Sequence, residues 1–169
     1  MADEATDVAD MEGKIPKTYG EEAVEIPGSR MLLDDLEKAG APWAIVTSGT
    51  KPLVTGWLDV MKLARPKNLV TAEDVQRGKP DPACYLLGQS KLGLARGTST
   101  LVLEDAPAGV RAGKAAGFSV VALATTHSIE RLREAGADWI VRDMKSVAMK
   151  QYDNKTGEVK IEISGALEG

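Results

Sequence analysis

Short apolar runs alternate with helix-like patterns along most of this 169-residue chain. Each apolar run is predicted to be a buried strand, and each amphipathic pattern a helix. The predicted strands are 43–47, 69–71, 100–103, 119–123 and 139–141, and the predicted helices are 29–38, 53–61, 83–92, 108–116 and 129–135. Two alternating stretches, 149–152 and 159–163, predict a hairpin near the end of the chain. Strand–helix alternation is typical of a parallel sheet with helices on both faces, so the predicted fold class is α/β.

The composition is typical of a single globular domain, with 43% hydrophobic and 27% charged residues. A net charge of −4 with interspersed acids and bases argues against a nucleic-acid surface. No apolar run approaches the ~20 residues of a membrane span, and the N-terminus lacks the features of a signal peptide. The lone Cys84 permits no internal disulfide, and the lone His127 is expected on a loop surface. We therefore expect a cytoplasmic protein with a small-molecule partner and no nucleic-acid or membrane partner.

Two adjacent carboxylates, Glu104 and Asp105, directly follow the predicted strand 100–103. In open α/β sheets, ligands bind beyond the carboxyl ends of the strands. Neighbouring carboxylates repel each other unless a cation neutralises them, and Mg²⁺ prefers hard oxygen ligands. The alternative is that Asp105 caps the following helix, because an aspartate there accepts bonds from backbone N–H groups. The pair therefore predicts either a metal site or a helix cap.

Two further segments carry groups that suit a phosphate. Thr47, Ser48 and Gly49 close a predicted strand with short hydroxyl donors and a residue whose missing Cβ lets backbone N–H groups approach an anion. Lys79 lies in a proline-rich turn just before a predicted helix, where it suits a phosphate oxygen as a point charge. Each segment alone also fits an ordinary turn or a solvated lysine. The order and spacing of all three segments favour a phosphate site.

The order Thr47-Ser48, Gly78-Lys79-Pro80 and Glu104-Asp105-Ala-Pro-Ala-Gly109 resembles motifs two, three and four of the haloacid dehalogenase (HAD) superfamily of phosphatases. The likeness is greatest to the fungal glycerol-3-phosphate phosphatase and 2-deoxyglucose-6-phosphate phosphatase group. It extends from about Ile15 to about Ile163, which is nearly the whole chain. The resemblance implies a HAD-like Rossmannoid core.

The same resemblance implies a role for each motif. It implies Lys79 and Asp105 as catalytic residues, Thr47, Ser48, Gly49 and Lys79 as phosphate-binding residues, and Glu104 and Asp105 as ligands of Mg²⁺. The resemblance implies that Asp105 is the direct ligand and that Glu104 is either a second ligand or a group that contacts the ligands. The implied activity is a Mg²⁺-dependent phosphatase of small polyol or sugar phosphates, which acts through a phosphoaspartyl intermediate.

The chain departs from the family pattern at its start. Family members begin with an apolar strand that ends in Asp-x-Asp-Gly-Thr, whose first Asp is the nucleophile, and a helical cap follows. Here Asp10-Met-Glu-Gly13 only imitates that motif, because the residues before it are polar. Asp10 is therefore not expected to be a nucleophile. Residues 1–14 are interpreted as the remnant of a cap helix and its linker, and residues 15–169 as the core domain with its C-terminal hairpin.

The absent first strand would lie, in related folds, between the strands predicted at 43–47 and 100–103. Its absence predicts a gap of roughly 10 Å with unpaired backbone groups on both sides. We expect the two strands to close up and pair directly, a partner chain or self-association to complete the sheet, or the chain to be marginally folded. Two functions remain open. The chain is the phosphate- and metal-binding half of a phosphatase, or it is a non-catalytic HAD-like fragment or pseudo-enzyme that binds an anion or a protein partner.

Overall fold

The computed structural model describes residues 2–169. Within them the helices are α1 (Ala2–Tyr19), α2 (Ser29–Ala39), α3 (Lys51–Met61), α4 (Ala83–Lys91), α5 (Pro107–Ala115) and α6 (Ile129–Glu134). The strands are β1 (Ala44–Val46), β2 (Asn68–Val70), β3 (Leu101–Glu104), β4 (Ser119–Leu123), β5 (Trp139–Val141), β6 (Val147–Asp153) and β7 (Glu158–Ile163). Every predicted element is present with the same or slightly shifted ends, and the α/β fold class is confirmed. None of the helices in this range is long and apolar enough to cross a membrane.

The parallel strands form two separate pieces. Strand β1 pairs with β2, while β3, β4 and β5 form a second parallel group, and β6 and β7 form an antiparallel hairpin. Strands β1 and β3 do not pair with each other, so the expectation that they close up directly is wrong. We call the space between them the strand slot. It is a cavity of about 810 Å³ whose walls include 44–46 and 101–103.

Helix packing explains why the strand slot does not close. Helix α4 packs on β1 and β2, helix α5 packs on β3 and β4, and the two helices also pack against each other. Packed helices lie about 8–10 Å apart, which is close to two strand spacings of about 4.8 Å. Because each helix is attached to its own strands, the spacing between the helices keeps β1 and β3 apart.

The core has two layers, one on each face of the strands. Val70, Val120 and Ile140 are buried beneath α4, α5 and α6, together with Val110 of α5. On the other face, Leu32 of α2 packs with residues of β4, β5 and β6. The hairpin therefore covers part of this face.

Helix α1 crosses the boundary that the sequence placed between residues 14 and 15, and it packs along α3. Glycines allow the close approach. A Cβ at Gly56 would lie 2.8 Å from the Pro16 ring, and a Cβ at Gly13 would lie 3.0 Å from Pro52. Asp10 lies on this helix with its side chain exposed, not at the end of a strand.

Asp138 joins three elements at the start of β5. Its carboxylate accepts hydrogen bonds from Lys114 Nζ at 2.7 and 2.8 Å and from the Val120 N–H at 2.7 Å. Burial raises the pKa of Asp138, but the bonds from Lys114 and Val120 outweigh it and hold the pKa below its ordinary value of 3.8. A lowered pKa contributes stability at neutral pH, and this contribution is lost as the pH falls through the folded-state pKa.

We therefore expect Asp138→Asn to lower the free energy of unfolding by about 1 kcal/mol at pH 7. The difference from the parent chain should shrink below about pH 4, where the parent carboxylate also becomes neutral. Urea unfolding across pH measures this dependence. Asp34→Asn is the matched control, since Asp34 has no hydrogen bond within the described part of the chain. A pH-independent loss in Asp138→Asn would contradict the ion-pair explanation.

Candidate functional site

Lys79 connects the carboxyl ends of the two strands that border the strand slot. Its Nζ donates to the backbone oxygen of Val46, the last residue of β1, at 3.2 Å. It also forms an ion pair with Glu104, the last residue of β3. The Lys79 and Glu104 side chains are only 13% and 7% exposed. Lys79 is therefore a nearly buried cation at the sheet edge where the sequence predicted the site.

The Glu104 carboxylate is fully engaged by neighbouring donors. Its Oε1 accepts from Lys79 and, at 2.5 Å, from the Tyr85 hydroxyl. Its Oε2 accepts from the N–H groups of Asp105 and Ala106 at 3.1 and 3.3 Å. Burial of Tyr85, and next the charge of Glu104, raise the pKa of the Tyr85 hydroxyl, which therefore stays protonated and donates. Glu104 thus holds Lys79 and the turn after β3 in place.

A glycine makes room for this carboxylate. A Cβ at Gly109 on α5 would overlap the carboxylate carbon and both oxygens of Glu104. The close approach lets the start of α5 lie directly against the Glu104 side chain. The glycine in the Glu104-Asp105-Ala-Pro-Ala-Gly109 stretch therefore has a steric role at the site.

The loop after β1 follows Val46, whose oxygen Lys79 contacts, and carries hydroxyl and N–H donors. The Thr47 hydroxyl accepts from the Gly49 N–H at 3.0 Å, and its own proton remains available to donate. The Thr50 N–H donates to Glu12 of α1 at 2.9 Å. The N–H and hydroxyl of Ser48 have no partner within the described residues, and the Ser48 side chain is exposed. Ser48 is therefore the open donor of this loop.

Asp105 is exposed and contacts the loop after β4, which the sequence patterns did not indicate as part of the site. Thr126 donates from its hydroxyl to Asp105 Oδ2 at 3.0 Å, and His127 Nδ1 lies 3.1 Å from the Asp105 backbone oxygen. The capping alternative is wrong, because the N-cap of α5 is Ala106 and no side chain caps that helix. His127 was expected on a loop surface, and it lies half-buried beside the acidic pair.

These contacts determine what the site can hold. Within residues 2–169, no group of three or more His, Cys, Asp or Glu residues could bind a metal ion. Among the residues that the structure describes, one Asp105 carboxylate oxygen has no partner, whereas both Glu104 oxygens accept hydrogen bonds. A hard-oxygen site for Mg²⁺ could use Asp105 here, but it would need further ligands from water or from another segment. The roles of Thr47, Ser48, Gly49, Lys79, Glu104 and Asp105 in catalysis stay predictions.

Sequence patterns missed Tyr85, Thr126 and His127 as parts of this site. Tyr85 lies on the buried side of α4, where a tyrosine is indistinguishable by pattern from an ordinary core residue. Thr126 and His127 follow β4, and the only signal for them was the general rule that parallel strands end at the ligand edge.

This chain is similar to known hydrolases over most of its length. Residues 3–123 match the haloacid dehalogenase-like hydrolase family. A glycerol-1-phosphate phosphohydrolase of Saccharomyces cerevisiae is 40% identical over 89% of this chain and 63% of its own length. Hexitol phosphatase A of Escherichia coli is 42% identical over 88% of this chain and 66% of its own length.

A hydrolase structure from Pseudomonas syringae superposes with a TM-score of 0.70 and 31% identity, covering 78% of this chain and 61% of that one. The chain thus spans just under two thirds of the length of the two phosphatases named above. The match over residues 3–123 agrees with the parallel strands and with the Lys79–Glu104 pair at their ends. This chain therefore belongs to the haloacid dehalogenase-like hydrolase family.

Proposed function

We propose that this chain is the phosphate- and metal-holding part of a phosphomonoesterase that acts on small polyol or sugar phosphates. The observation that carries the proposal is the position of Lys79, which contacts the ends of both β1 and β3. In this proposal the nearly buried ammonium of Lys79 attracts an anionic phosphate to that edge, and Ser48, two residues after Val46, supplies donors to it. The substrate class rests on the relatives, which are named for glycerol-1-phosphate and for hexitol phosphates.

Each residue of the chain has a distinct task in this proposal. Ser48 donates its N–H and hydroxyl to phosphate oxygens, and the Thr47 hydroxyl adds a third donor. Lys79 offsets the negative charge of the phosphoryl group, while Glu104 and Tyr85 keep the lysine in position. The proposal assigns the nucleophile to a segment other than residues 2–169, since Asp10 is exposed on α1 rather than at the end of a strand.

Mg²⁺ is the proposed cofactor, and Asp105 with its partner Thr126 is its proposed protein contact. When bound, the ion would supply positive charge that offsets the phosphate and draws it toward Asp105. The proposed compartment is the cytoplasm, where the single Cys84 remains a thiol; Cys84 is buried and unpaired in the structure.

The test is phosphate release from glycerol phosphate and sugar phosphates in the presence of Mg²⁺. We expect little turnover from the chain as given, and a rise on the order of 10³-fold or more when an apolar strand ending in Asp-x-Asp-Gly-Thr is fused before Ala2. The matched control carries Asn in place of the first Asp of that extension. Robust turnover by the unextended chain that survives Asp10→Asn would contradict the proposal.

A non-catalytic role is the second candidate, and the open strand slot is the observation that favours it. In that case the extended chain would bind phosphate without turnover, and Asn in the extension would change nothing. Phosphate binding measured by calorimetry, with Lys79→Met as the comparison, separates the two candidates. Binding without turnover in the extended chain would establish the non-catalytic role.

A further inference from the structure

The loop that follows β1 leaves one backbone donor open among residues 47–51. The Ser48 N–H has no partner within the described part of the chain. The other four N–H groups each bond to an acceptor: Thr47 to the Val70 oxygen, Gly49 to the Thr47 hydroxyl, Thr50 to Glu12 and Lys51 to Glu73. These four bonds determine which N–H group of the loop a ligand can reach.

Carboxylates from two distant elements take the place of an ordinary cap on α3. Thr50 is the N-cap residue, but its hydroxyl makes no cap bond and is buried without a partner among the described residues. The Thr50 N–H donates to Glu12 of α1 at 2.9 Å, and the Lys51 N–H donates to Glu73 at 2.9 Å. An anion is favourable at a helix N-terminus because the free N–H groups there carry partial positive charge. The first turn of α3 is thus held by side chains that come from outside it.

Close packing of α1 on α3 brings Glu12 to this loop. Glu12 precedes Gly13, where a Cβ would lie 3.0 Å from Pro52, so α1 approaches the first turn of α3 closely. The next turn of α1 repeats the contact, since a Cβ at Gly56 would lie 2.8 Å from the Pro16 ring. Two contacts of this kind fix the rotation of α1 about its axis. The bond from Thr50 to Glu12 therefore depends on the packing of the whole helix pair.

The burial of Thr50 determines what Glu12 does for the loop. Thr50 is only 7% exposed, so a phosphate arriving from solvent does not reach its N–H while α1 stays docked. Glu12 thus satisfies a buried donor and does not occupy a place that phosphate would take. Without this acceptor, the loop would turn the Thr50 N–H toward water or another acceptor, because an unpaired buried N–H is costly. Such a turn would also move Ser48, which lies two residues before Thr50.

We propose that Glu12 is a positioning residue of the phosphate-binding loop. Its bond to the Thr50 N–H holds residues 47–50 so that Ser48 presents its N–H and hydroxyl at the edge where Lys79 lies. Glu12 acts through Thr50 and makes no contact with phosphate in this proposal. The inference rests on the proposed function, because it concerns the phosphate loop of that site, and it makes α1 a part of the site.

The test compares two variants that both lose the charge of Glu12. Glu12→Gln keeps an oxygen acceptor for the Thr50 N–H, whereas Glu12→Met keeps the length of the side chain but has no oxygen. Inorganic phosphate is the probe, and the NMR signal of the Ser48 amide in the full chain measures its binding. We expect Glu12→Met to bind phosphate about tenfold more weakly than Glu12→Gln. Loss of charge alone would change both variants equally.

Amide exchange reports on the loop without any phosphate. The Thr50 amide should exchange about tenfold faster in Glu12→Met than in Glu12→Gln, while the Leu58 amide inside α3 exchanges equally in both. Asp10→Asn is the matched control, because Asp10 is an exposed carboxylate on the same helix. Its phosphate affinity should stay within about twofold of the parent chain, as is usual for a surface substitution.

The outcomes separate this inference from the proposed function. If the parent chain binds phosphate but Glu12→Gln and Glu12→Met bind it equally, the inference is overturned and the proposed function stands. Tighter binding by Glu12→Met than by Glu12→Gln would also overturn the inference, since Glu12 would then act as a competing anion. A parent chain whose Ser48 amide does not respond to phosphate would overturn the proposed function and the inference together.

Discussion

Lys79→Met is expected to lower the free energy of unfolding by about 3 kcal/mol. Removing one partner of a buried ion pair leaves the other charge uncompensated, which costs about 3–5 kcal/mol in proteins. Glu104 is 7% exposed and would lose the only cationic partner that it has among the described residues. The bonds from Tyr85 and from two backbone N–H groups remain, so the lower end of that range applies. Urea unfolding followed by circular dichroism measures the change.

Two further variants show whether the ion pair is the cause. Lys150→Met removes the exposed partner of Glu162, which lies at 2.8 Å, and should cost less than about 1 kcal/mol. Adding Glu104→Gln to Lys79→Met removes the unpaired carboxylate charge. The double variant should therefore recover part of the lost free energy of unfolding. Equal losses in Lys79→Met and Lys150→Met, with no recovery in the double variant, would contradict the buried-pair explanation.

Gly109→Ala is expected to be about as destabilising as the loss of Lys79, at about 3 kcal/mol. The added Cβ would overlap the Glu104 carboxylate, which four donors hold in place. Either α5 shifts, which costs about 1–3 kcal/mol for overpacking, or Glu104 moves and gives up hydrogen bonds of similar worth. Thermal and urea unfolding measure the loss of stability.

Gly78→Ala provides the matched glycine control for this prediction. A Cβ at Gly78 meets nothing within 4 Å, and its backbone does not lie in the left-handed region. This replacement should leave stability unchanged or raise it by up to about 1 kcal/mol, because alanine restricts the unfolded chain. If Gly109→Ala proves as mild as Gly78→Ala, the turn after β3 is not packed as described.

Local patterns were enough to predict the helices and strands of this chain. The apolar run 119–123 became β4 with the same ends, and the hairpin formed as β6 and β7. Such elements are predictable because their hydrophobic periodicity is local and each buries its apolar face against a neighbour. The course of α1 was harder to predict, because its packing on α3 depends on Gly13 and Gly56 meeting two prolines.

The sequence predicted several residues of the candidate site but not the contacts that they make with one another. The sequence indicated Lys79, Glu104 and Asp105 together, and the structure brings Lys79 onto Glu104. It gave no sign that both Glu104 oxygens would be occupied, leaving Asp105 as the open carboxylate. Tyr85 and Thr126, which complete these contacts, come from elements distant in the chain and carry no local signal.

The order of strands, helices and polar strand ends, and with it the family, followed from the sequence by itself, because hydrophobic periodicity and motif spacing are properties of the linear chain. Whether β1 and β3 meet was decided only by the tertiary structure. Their separation depends on how α4 and α5 pack against each other and on the Lys79–Glu104 pair between the strand ends. Strand pairing depends on competing long-range contacts. It is therefore determined by the summed packing of whole elements rather than by any local run of residues.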